Sequence, residues 1–163
     1  MKRKFTLNYL FATFFFTGYI KFAPGTWGTL AGLLLWLMLP ISSIYIKLFL
    51  IIATFITGVL VSGTIERKGE TIDPGYIVID EVVGMWITLM FIPGALLNNL
   101  SQLDDNTIQI MMAFLLFRFF DISKLPPIKY CEKLSGGFGI MIDDVIAGLA
   151  AGVIIYLVNV FII

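Results

Sequence analysis

Gly137-Phe138-Gly139-Ile140-Met141-Ile142-Asp143-Asp144-Val145-Ile146-Ala147-Gly148 places two adjacent aspartates at the head of an apolar run that continues to residue 163. Residues 141–163 are long enough to cross a bilayer, whose core of about 30 Å takes about 20 helical residues. A charge at the centre of such a helix costs about 2.5–3.5 kcal/mol on insertion scales, so an ionisable residue there marks a candidate functional site. A simpler role stays open, because free N–H groups and the macrodipole stabilise carboxylates at a helix N-terminus. One aspartate suffices for that, and the chain carries further acids in the same setting.

Composition agrees with a membrane protein. Of 163 residues, 59% are hydrophobic and 13% charged, against about 25% charged in a soluble domain. The length allows a single domain, residues 1–163, and no second one. Net charge is zero, which removes the electrostatic case for nucleic acid. Cys131 is the only cysteine, so no internal disulfide can form, and it is read as structural.

Working back through the chain, residues 107–117, 77–92 and 44–62 are apolar spans, and 30–39 is a short one ending at Pro40. Between them lie polar or turn-rich stretches at 21–29, 66–76, 98–106 and 118–140, with a break or kink expected at Pro93-Gly94. Residues 5–20 are too short for a full span. They follow Met1-Lys2-Arg3-Lys4 like the start of a signal peptide, but no small-residue cleavage site precedes Lys21, so the segment is read as retained. Gly148 and Gly152 have the spacing of small-xxx-small helix packing, and Gly84 suits either packing or a site. Trp27, Trp36 and Trp86 near expected helix ends read as interface anchors.

Basic residues orient the bundle, because they favour the cytoplasmic side. Lys2, Arg3 and Lys4, then Arg67 and Lys68, then Lys124, Lys129 and Lys133 mark inside segments, while 98–106 has no basic residue and goes outside. Counting spans gives an all-α integral membrane bundle of five transmembrane helices, with 5–20 lying along or dipping into the membrane. Lys21, Thr26, Asp73, Asp80-Glu81, Arg118, Asp121, Lys124 and Asp143-Asp144 then all fall at the cytoplasmic rim.

Clustered carboxylates suit a hard cation such as Mg²⁺, which takes oxygen ligands and often bridges to phosphate. Arg and Lys beside them suit a phosphorylated substrate. The chemistry implied is phosphoryl transfer or hydrolysis at a lipid headgroup. Arg118 and Asp121, three residues apart on a helix, also suit a simple mutual pair. The chain has no histidine, so neither a phosphohistidine nor a histidine ligand is available. No Walker A loop occurs, no Asp-x-Asp-x-Thr stretch is present, and Cys131 lacks the arginine of a cysteine-phosphatase loop. Metal-assisted attack by water, or a carboxylate acting as base or nucleophile, remains. The alternative from another class is a small ion or solute transporter, whose acids would be spread over several depths.

Ala23-Pro24-Gly25-Thr26-Trp27-Gly28-Thr29-Leu30, Ile77-Val78-Ile79-Asp80-Glu81-Val82-Val83-Gly84-Met85-Trp86, Phe117-Arg118-Phe119-Phe120-Asp121-Ile122-Ser123-Lys124 and Gly136-Gly137-Phe138-Gly139-Ile140-Met141-Ile142-Asp143-Asp144 together resemble the phosphatidylglycerophosphatase A family. The four blocks occur in the family's order over residues 18–153. One departure is Leu125, where the family usually has the first proline of Lys-Pro-x-Pro. The resemblance implies a bacterial cytoplasmic-membrane phosphatase, Mg²⁺-dependent, that converts phosphatidylglycerophosphate to phosphatidylglycerol and phosphate. It implies Asp80, Glu81, Asp143 and Asp144 as metal ligands, with Asp121 as a further ligand or the group that orients water. Arg118 and Lys124 would hold the phosphate, with Lys21 beside them and Thr26 donating a hydrogen bond.

Overall fold

A computed structural model describes residues 6–39, 43–68, 74–92, 103–131 and 134–161. These residues fold entirely into helices, with no strand among them: α1 (Leu7–Ala12), a 3₁₀ turn (Thr17–Tyr19), α2 (Pro24–Met38), α3 (Ile44–Arg67), α4 (Ile79–Leu89), α5 (Leu103–Ser123), α6 (Ile128–Cys131) and α7 (Gly136–Phe161). The all-α expectation holds. Two helices, α3 and α7, are long and apolar enough to cross a membrane. The 15 residues of α2 and 11 of α4 fall short of the roughly 20 that a span takes.

Several boundaries move from those expected. Pro24 opens α2 instead of breaking the chain, since proline at the first helical position loses only an N–H that has no helical partner. Residues 118–123, expected in a loop, continue α5, which ends where Lys124 turns left-handed at φ 43°. The glycines at 136, 137 and 139 lie inside α7. The expected break at Pro93-Gly94 and the acid Asp73 lie outside the described residues, and the expected outer loop is helical from Leu103.

The core is built around α4. Nine of its eleven residues are buried, and α2, α3, α5 and α7 all pack against it. Its seam with α7 has backbone on backbone: a Cβ at Gly148 would collide with the Gly84 carbonyl, and one at Gly84 with the Phe117 ring. Thr88 Oγ1 crosses the seam, donating to the carbonyls of Gly84 at 3.0 Å and Gly148 at 3.2 Å. With no apolar driving force between helices in lipid, such close packing and interhelical hydrogen bonds are what hold them. The expected interface role fits exposed Trp27 alone. Trp36 and Trp86 are buried with ring centroids 5.8 Å apart, and Trp86 Nε1 donates to the Gly32 carbonyl at 2.8 Å.

The N-terminal segment docks on the approach to α4. The Val78 N–H donates to the Ala12 carbonyl at 2.9 Å, and the rings of Tyr9 and Tyr19 lie 6.1 and 5.9 Å from that of Tyr76. Phe14, Phe15 and Phe16 form a left-handed turn, with φ 40°, 55° and 67°. Thr13 Oγ1 supports the turn by accepting the Phe16 N–H at 3.0 Å.

Candidate active site

The N-terminal ends of α2 and α4 meet the C-terminal end of α5 and the third turn of α7 at one end of the bundle. Helix N-termini carry partial positive charge, so the two in one place favour carboxylates and then an anionic ligand. Asp80 and Glu81 occupy the first turn of α4. Asp143 and Asp144 sit deeper, because α7 begins at Gly136. Two turns into a helix, they are too far from its end to be caps, and the capping reading is set aside.

Asp80, Glu81 and Asp144 each offer a carboxylate oxygen within 4.8 Å of the other two. Asp80 and Asp144 are buried. Glu81 Oε2 is buried with no hydrogen-bond partner, although a buried acceptor without a partner costs about 1–3 kcal/mol. Asp143 adjoins this cluster rather than joining it: its Oδ2 accepts from Lys124 Nζ at 2.9 Å, and its Oδ1 accepts the Asp144 N–H at 3.0 Å.

Arg118, one turn before the end of α5, pairs through Nη1 with Asp121 Oδ2. The same nitrogen lies 4.0 Å from Glu81 Oε1 and donates to Thr29 Oγ1 at 3.4 Å. Its Nε is buried and has no partner. Arg118 therefore pairs with Asp121, as helical spacing allows, yet it also reaches the carboxylate cluster. Asp80, Glu81, Asp121, Asp143 and Asp144 against Arg118 and Lys124 are five acidic side chains to two basic ones, more than the two cations can pair. Burying an uncompensated charge is expensive, and a bound cation would relieve that cost. Three converging oxygens and an unpartnered buried one fit a hard divalent cation.

The remaining expected residues fall differently. Thr26 is half-buried in the first turn of α2, and Thr29, one turn on, supplies the hydroxyl that meets Arg118. Lys21 is exposed and makes no ion pair among the described residues. Thr29 is not among the site residues expected from the sequence. Thr29 Oγ1 also donates to the Gly25 carbonyl at 2.8 Å, and a Cβ at Gly25 would strike the Glu81 carboxylate and crowd Arg118 Nη1. The Thr26/Thr29 spacing of one helical turn was the available signal.

An all-helical bundle with two membrane-length helices and a carboxylate–arginine site at one end has the make-up expected of a metal-assisted phosphatase that works on lipid. The chain is a member of the phosphatidylglycerophosphatase A family, whose model matches residues 10–159. It is 42% identical over 154 residues to phosphatidylglycerophosphatase A of Haemophilus influenzae, covering 93% of this chain and 88% of that one. Its identity to the Escherichia coli protein of the same name is 30% over 152 residues, covering 93% and 83%. A Bacteroides thetaiotaomicron protein provisionally named a phosphatidylinositol-3-phosphatase is 34% identical over 161 residues, covering 95% of each. No solved structure matches the chain.

Proposed function

We propose that this protein hydrolyses the terminal phosphomonoester of phosphatidylglycerophosphate, releasing phosphatidylglycerol and inorganic phosphate at the cytoplasmic face of a bacterial inner membrane. The observation that carries the reading is the trio of buried Asp80, half-buried Glu81 and buried Asp144 within reach of Arg118 in a chain of this family. Magnesium is the proposed cation, with Asp80, Glu81 and Asp144 as the residues that would hold it. Bound there, it would polarise phosphoryl oxygens and make water a stronger nucleophile near neutral pH.

The chain's own groups divide the remaining work. Arg118 offers a guanidinium fork, whose geometry matches phosphoryl oxygens and whose Nε has no protein partner. Asp121 and Thr29 hold that fork in place. Lys124, tied to Asp143 at the edge of the cluster, adds positive charge beside the phosphoryl group as it is transferred to water. A carboxylate of the cluster would take the proton from the attacking water as its oxygen bonds to phosphorus, and return it to the glycerol oxygen as the old P–O bond breaks.

Five membrane passes are part of the same proposal, supported by the alternation of α2, α3, α4, α5 and α7. The Gly63–Gly137 contact brings the C-terminal end of α3 to the N-terminal end of α7, on the side of the acids. The ionisable groups so gathered at one end do not line a path through the bundle, which disfavours a transporter. The test is phosphate release from phosphatidylglycerophosphate and from phosphatidylinositol 3-phosphate, each with Mg²⁺ and with a chelator. Mg²⁺-dependent release from the first lipid at a much higher kcat/KM is expected. A preference for the inositol lipid would overturn the headgroup assignment.

A further inference from the structure

A cavity of about 240 Å³ lies between the N-terminal segment, α2, α3 and α4, lined by Phe11, Phe14, Phe15, Leu35, Ile79 and Trp86 with Ala53, Thr54 and Thr57. At about 30 Å³ per water, it has the volume of roughly eight waters. That suits a run of methylenes and is far too small for a headgroup with its lipid. Two of the three polar side chains in the wall are engaged elsewhere: Thr57 Oγ1 donates to the Ala53 carbonyl at 2.8 Å, and Trp86 Nε1 donates into α2. What faces the space is almost wholly hydrocarbon.

Its placement relates it to the catalytic cluster in depth. Ile79 immediately precedes Asp80 in the first turn of α4, and Trp86 is seven residues further along the same face. The cavity thus runs about 10 Å along the helix, at 1.5 Å per residue, starting at the level of the carboxylates on a neighbouring face of α4. Its inner wall is closed by buried Ile79, Trp86 and Phe14, and its outer wall includes Phe15 at 62% exposure and Phe11 at 39%. That outer wall contains the left-handed Phe14–Phe15–Phe16 turn. Left-handed backbone is strained outside glycine, and such strain gathers at ligand clamps.

We propose that this cavity receives one acyl chain of the phospholipid substrate, with residues 7–19 as its outer wall. The proposal rests on the reading of the chain as a phospholipid phosphatase. The occupant is an acyl chain because the wall is apolar, the cavity adjoins a site that takes a lipid headgroup, and its outer wall is exposed where bilayer lipid lies. A lipid tail already in the bilayer gains no hydrophobic free energy by moving there. The cavity's contribution is register: a tail held beside Ile79 fixes the depth at which the phosphate meets Arg118, and small misplacements of a substrate are costly to rate.

The test uses the full chain in phosphatidylcholine vesicles with phosphatidylglycerophosphate that carries a diazirine midway along one acyl chain. Photolysis is expected to label peptides holding Phe11, Phe14, Phe15, Leu35 or Trp86. Excess unlabelled phosphatidylglycerophosphate should compete this labelling away, and extra phosphatidylcholine should not. Ala53→Phe fills the cavity and should cut the labelling and lower kcat/KM on the long-chain lipid by about tenfold, while leaving hydrolysis of the dibutyryl analogue unchanged. Thr57→Leu fills less space and carries the same test if Ala53→Phe does not fold. Label confined to the outer face of α3 at Phe49, Ile52, Ile56 and Leu60, equal competition by phosphatidylcholine, or equal losses on both substrates would overturn the proposal. Headgroup-competed labelling with no phosphate release from either lipid would support the pocket and overturn the phosphatase reading instead.

Discussion

At the scale of single residues, Arg118 decides between structure and chemistry, because it pairs with Asp121 and also approaches Glu81. Lysine offers a point charge where arginine offers a fork. Arg118→Lys should therefore lower turnover by about the 1.5–3 kcal/mol of a charged hydrogen bond. If Arg118 served only to neutralise Asp121, the Arg118→Gln/Asp121→Asn double variant would recover the activity lost in each single one. The site reading expects it to be at least as impaired as the worse single variant, measured as phosphate release at saturating Mg²⁺. Gly25→Ala tests the approach of α2, since its methyl would collide with the Glu81 carboxylate. It should reduce activity sharply while helical circular dichroism is retained; wild-type turnover would show that the contact is slack. The acids were legible in the sequence because charge in an apolar run is conspicuous. Thr29 was not, because a hydroxyl three residues after another looks the same whether or not a distant arginine reaches it. Asp143 and Asp144 were read as equals, and only the fold shows one held by Lys124 and the other turned into the cluster.

At the scale of elements, the α4–α7 seam fixes the distance between the two acid pairs. Gly148 touches the Gly84 backbone, so Gly148→Leu has to push the helices apart. Overpacking of this kind costs about 1–3 kcal/mol, and it should lower the melting temperature and the activity together. A variant with lost activity and an unchanged melting temperature would place Gly148 in the chemistry instead of the packing. The small-xxx-small pattern made this seam readable before the fold was known. Helix ends were less readable. Pro24-Gly25 and Gly136-Gly137 are common turn signals, yet here they open helices, because proline fits a first turn and glycine lets α7 lie against α3. Trp36 and Trp86 sit near helix ends in sequence, but their burial follows from α2 crossing α4, which no local pattern encodes.

At the scale of the whole molecule, the acids, Arg118 and Lys124 lie at one end of the bundle, and the proposal places that end in the cytoplasm on the excess of basic residues in neighbouring segments. In a Cys131→Ser background, an impermeant thiol reagent added outside should label a cysteine placed at Asn99 and spare one at Lys129. The reverse pattern would put the site on the other face and end the cytoplasmic assignment. The all-α class and the gathering of charge were legible because composition and charge asymmetry survive without coordinates. The number of passes was less so, because α2 and α4 are shorter than a bilayer is thick and owe their stability to neighbours. The central claim is that Asp80, Glu81 and Asp144 hold the cation on which hydrolysis depends, and it is tested most directly by titrating Mg²⁺ against phosphate release for the wild type and Asp144→Asn. Loss of a ligand should exceed the roughly 10–100-fold cost of an outer-shell partner, so the variant should fall by more than about 100-fold at limiting Mg²⁺ with its fold intact. Near wild-type release from Asp144→Asn at limiting Mg²⁺, or full wild-type activity in chelator, would contradict it.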